Sequence, residues 1–65
     1  MRRMKPGPPL DADEAVLSVM RQLSIQHDVI MAADAFPEAR VLEYLGLTRR
    51  LYALEFYRKT GEWRP

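Results

Sequence analysis

Apolar residues recur at helical spacing in two long stretches of this chain, and the polar residues around them carry helix start and stop signals. The second stretch is the clearer one, Pro37 to Gly61, PEARVLEYLGLTRRLYALEFYRKTG. Pro37 suits the first turn of a helix, where its missing N–H costs nothing. Glu38 favours the positive end of the helix dipole, Arg58 and Lys59 the negative end. Gly61 stands where a left-handed residue closes a helix. Start, charge order and stop agree, and predict a helix over about 37–60.

Two apolar stripes run along that helix. Tyr44, Leu47, Leu51 and Leu54 form one. Val41, Leu45, Tyr52 and Phe56 form another, roughly 130° away at about 100° per residue. A helix with one partner needs one stripe, so two stripes imply a second partner or a second chain.

The first stretch opens with Asp11-x-x-Glu14, a capping-box pattern, and Leu10 is placed to staple onto the first turn. A helix over about 12–33 follows. Val16, Leu23 and Ile30 repeat every seven residues and define a packing seam, flanked by Val19 and Met20 on one side and His27 on the other. Ile25 and Val29 point away from it. The β-branched run after Ser24 leaves room for a kink there. Asp34, Ala35 and Phe36 make a short connection, so the two helices are antiparallel neighbours. Phe36 precedes a proline, is held out of helical geometry, and is placed to plug the end of the bundle.

The fold class this predicts is all-α: an antiparallel two-helix hairpin that dimerises into a four-helix bundle, closing the leftover faces. The core and dimer contacts are assigned to Val16, Leu23, Ile30, Leu47, Leu51 and Leu54. Residues 1–10 read as a basic, proline-rich flexible arm, and residues 11–65 as the hairpin with a short C-terminal cap. Trp63, just past Gly61, either folds back on the last turn or anchors a partner.

Composition narrows the function. A domain of 65 residues buries only about 60% of its unfolded surface, so it needs a staple or an oligomer. The chain has no Cys and one His, which excludes disulfides, thiolate metal sites and a multi-His site within one chain. A symmetric dimer bringing His27 against its own copy would be pH-sensitive near about pH 6–7. A net charge of +1 is nearly balanced, unlike a dedicated nucleic-acid binder. No apolar run approaches the roughly 20 residues of a membrane span, and the N-terminus lacks the apolar segment of a signal peptide. The expectation is a soluble, cytoplasmic protein that does not bind membrane. No catalytic set, phosphate loop or cofactor motif can be assembled, so no enzyme activity and no cofactor are expected.

The expected role is that of a small regulatory or assembly protein. It would inhibit or chaperone another protein through an exposed aromatic face of Tyr52, Phe56, Tyr57 and Trp63, in the manner of small bacterial or phage regulators. The competing class is a nucleic-acid binder. Leu42-x-x-Leu45-Gly46-Leu47-Thr48-Arg49-Arg50 resembles the turn of a helix-turn-helix DNA reader. The resemblance covers about a third of the chain. It departs from the pattern at Leu42, where small residues are usual, and in placing Leu51 and Leu54 one position early. It implies a turn at Gly46, a helix capped by Thr48, and nucleic-acid contacts by Arg49 and Arg50. Arg2, Arg3 and Lys5 of the arm are candidate phosphate contacts beside them. The alternative at Gly46 is one uninterrupted helix.

Overall fold

The computed structural model describes residues 7–65. Two helices, α1 (Ala12–Ala32) and α2 (Glu38–Thr60), pack against each other as an antiparallel hairpin. Among the described residues there is no strand. No described helix is long and apolar enough to cross a membrane. The arm cations Arg2, Arg3 and Lys5 lie outside the described residues.

The ends of the helices follow from local chemistry. Asp11 takes an extended conformation, and its carboxylate accepts a hydrogen bond from the Glu14 N–H at 3.1 Å. One of the orphan donors of the first turn is thereby satisfied. α1 ends with less definition. It has no basic residue in its last turn, and Ala33 leaves helical geometry with only a 3.3 Å bond from its N–H to the Ile30 carbonyl. α2 begins one residue later than the sequence pattern suggests. Pro37 is its N-cap, and the Val41 N–H closes the first turn on the Pro37 carbonyl. Its far end is the better built. Gly61 sits at φ 76° and donates to the Tyr57 carbonyl at 2.8 Å. Thr60 adds a second lock: its hydroxyl donates to the Phe56 carbonyl and accepts from the Glu62 N–H.

Both helices run without interruption, α1 through Ser24 and α2 through Gly46. The turn implied at Gly46 is absent. Thr48 does not cap a new helix: its hydroxyl donates back to the Tyr44 carbonyl at 2.9 Å, as a threonine does inside a helix. A Cβ added at Gly46 would meet nothing within 4 Å. Glycine costs about 1 kcal/mol against alanine in a helix interior, and nothing in the hairpin repays that cost. Gly46→Ala is therefore expected to raise stability by roughly 1 kcal/mol in urea unfolding; a loss would show that something packs on Gly46 in solution.

The core is small. Val16 and Val19 are 3% exposed and Leu54 is 1% exposed. Ala15, Leu23, Leu47, Leu51 and Trp63 pack around them, partly buried. All three buried side chains lie toward the end of the hairpin that carries the chain termini. There Arg58 bridges the helices, its Nε 3.0 Å from an Asp13 carboxylate oxygen. Toward the connection burial is lower. Ile30 is only half-buried.

Two further expectations fail. Phe36 is 78% exposed and plugs nothing. Leu10 is wholly exposed and does not staple onto α1. Met20 stands beside the seam, where its spacing puts it, and is exposed there. His27 also faces outward, its Nδ1 3.6 Å from the Asp28 carboxylate. Two helices of this length meet along one narrow line, so a residue a quarter turn from that line stays in water.

Candidate functional site

The C-terminal half of α2 and the tail beyond it gather most of the residues singled out as candidate contacts. Gly61 reverses the chain, and the tail returns along α2. Trp63 meets Tyr57 edge to face, with ring centroids 5.7 Å apart and planes at 79°. Arg64 lies over Phe56, its guanidinium carbon 5.3 Å from the ring centre. Glu62 holds that guanidinium at 2.9 Å. Trp63 thus folds back on the last turn and joins the core, the first of its two expected placements.

The four aromatic residues do not form one patch. Tyr57 and Trp63 are spent largely on each other. Tyr52, 78% exposed, and Phe56, 37% exposed, remain open on another side of the helix. They line a shallow groove of about 570 Å³ with Thr48, Ala53, Arg64 and Pro65. A neighbouring groove of about 440 Å³ runs between Trp63, Gly46, Arg49 and Arg50. Arg49 and Arg50 are exposed, and neither has an ion-pair partner among the described residues. Two arginines on a continuous helix lack the docking geometry of a recognition helix, which depends on the turn before it.

Chemistry is sparse around these grooves. Among the described residues, no group of three His, Cys, Asp or Glu side chains is arranged to hold a metal ion. What the surface offers instead is apolar area. Leu17, Met20, Ile25, Met31, Leu42, Leu45 and Tyr52 are each more than half exposed. The sequence pattern assigns Leu17 and Met31 to no apolar stripe, and Leu42 enters it only through the helix-turn-helix resemblance. The signal was there: Leu17, Met20, Ser24, His27 and Met31 follow one another at alternating spacings of three and four.

No family model matches the chain, and no curated protein or solved structure matches it significantly.

Proposed function

We propose that this chain is a small non-catalytic regulatory or assembly protein. Two hairpins pair into a four-helix bundle, and the bundle binds another protein through apolar and aromatic helix surface around Phe56 and the tail. The observation that carries this reading is the mismatch between a core of three buried side chains and a surface with nine large apolar ones more than half exposed, counted among the described residues. The molecule is 15 Å across its thinnest dimension, little more than one helix of about 10–12 Å diameter. A single layer of two helices has no second layer to cover its apolar faces, and stable domains are built from at least two.

Thermal unfolding at several protein concentrations tests the pairing. A dimer gains stability by mass action, so the melting temperature should climb with each tenfold rise in concentration. A melting temperature independent of concentration would count against it. The nucleic-acid reading has lost its turn but keeps two exposed arginines. Partner binding that weakened steeply with added salt would favour it, through counterion release.

A further inference from the structure

We infer that one side of the hairpin, and not the other, is where a second copy of this chain docks; this rests on the pairing proposed above and names its face. The two sides of the hairpin are chemically unlike. On one, Ser18, Gln22 and Gln26 of α1 line shallow grooves with Glu43, Gly46 and Arg50 of α2. That side is polar. Past the contact line, on the opposite side, α1 presents the stripe Leu17, Met20, Ser24, His27, Met31. α2 presents Val41, Leu45, Thr48, Tyr52 beside it. Both stripes keep the alternating three-and-four spacing of a helix seam. Of these nine residues, Leu17, Met20, Met31, Leu45 and Tyr52 are large, apolar and more than half exposed. The polar side carries fewer apolar side chains on α1, Ile25 and Val29, in step with Ser18 and Gln22. A single hairpin cannot bury the larger face itself.

The order of residues along this face points to a second copy as the occupant. Its middle is mixed, with Ser24 and His27 on α1 beside Leu45 and Thr48 on α2. Leu17, Met20 and Tyr52 lie toward one end, and Met31 and Val41 toward the other. A two-fold axis through the middle sets this mixed centre on its own copy, with Leu45 near the partner's Leu45, and each apolar end on the partner's opposite end. Such self-complementarity is what an isologous interface requires. The Thr48 hydroxyl already has its partner in the Tyr44 carbonyl, so burying it leaves no orphan donor. A net charge of +1 on each copy gives little repulsion.

Area agrees. The chain exposes 5761 Å², whereas a compact monomer of 7.6 kDa exposes roughly 4,300 Å². Residues 7–10, outside the helices, account for part of the excess. A standard interface buries roughly 800 Å² on each partner. On this assignment Tyr52 belongs to the dimer, and Phe56 with the tail is left for a protein partner.

The test compares solution masses by light scattering. Wild type should have twice the chain mass. Met20→Glu places a charge in the proposed face and should raise the dimer dissociation constant on the order of a hundredfold. Ile25→Glu, on the far side of α1, should leave the dimer intact. The absence of cysteine gives a second readout that does not depend on a charged variant folding. Ser24→Cys should oxidise readily to a covalent dimer, and Gln22→Cys, on the polar side, at least about tenfold more slowly. A dimer lost with Ile25→Glu but kept with Met20→Glu, or faster cross-linking at Gln22→Cys, would overturn the face while sparing the pairing. A monomeric wild type would overturn both.

Discussion

Replacing Leu54 by alanine should cost the hairpin ~2–5 kcal/mol. Leu54 is the most deeply buried side chain, 1% exposed, and it seals the contact with Val16 and Val19. Truncation removes its transfer energy and leaves a cavity that two helices joined at one end can only partly close. Marginal stabilities of ~0.05–0.15 kcal/mol per residue give a 65-residue chain roughly 3–10 kcal/mol in all. The substitution therefore removes a large share of the total, and much of the helical circular dichroism should be lost at moderate temperature. Arg21→Ala is the control, because Arg21 is polar, exposed and outside this cluster. A Leu54→Ala variant that melts like wild type would mean the helices do not meet where described.

Trp63→Ala should have the next largest effect, a loss of about 1–3 kcal/mol. A tryptophan buries ~150–250 Å², and burying about half of that at ~25 cal/mol per Å² is worth 2–3 kcal/mol as an upper bound. The edge-to-face contact with Tyr57 adds to it. Trp63→Phe should recover most of the loss, because a ring remains to meet Tyr57 and the core. Urea unfolding of both variants measures this. In wild type the single tryptophan supplies its own check, since its emission should shift to longer wavelength as the tail leaves Tyr57. Equal stability of Trp63→Ala and wild type would show that the tail beyond Gly61 is not part of the fold.

Much of this architecture was legible before any coordinates, and the legible parts share a cause. Asp11 with Glu14, Pro37, and Gly61 act on their own immediate backbone, so their meaning does not wait on tertiary context. The first stripe of α2 was legible too, since Leu47, Leu51 and Leu54 are spaced to meet one partner. Gly46 was not. A glycine costs a helix about 1 kcal/mol, which neither forbids a continuous helix nor requires a turn. The helix on either side decided the matter. Phe36 and Leu10 were misplaced for a different reason, and the exposure of Met20 and His27 on the flanks of the seam was not legible either. Periodicity says which residues share a face, but not how far around the seam the partner helix reaches.

The candidate site was read less well. The aromatic residues were found, but nothing in their spacing told that the tail would turn back to divide them, Tyr57 with Trp63 and Phe56 beneath Arg64. That division follows from the left-handed Gly61, whose role as a helix stop was visible while the path after it was not. The exposed stripe from Leu17 to Met31 was passed over because the seam at Val16, Leu23 and Ile30 has the same repeat, one residue out of step.

The central claim is that the hairpin is half of a bundle. Light scattering across a dilution series measures it directly. The account predicts a helical species of twice 7.6 kDa that gives way to a poorly folded chain of 7.6 kDa as it is diluted. A chain of 7.6 kDa that stays helical and monomeric at every concentration would contradict it.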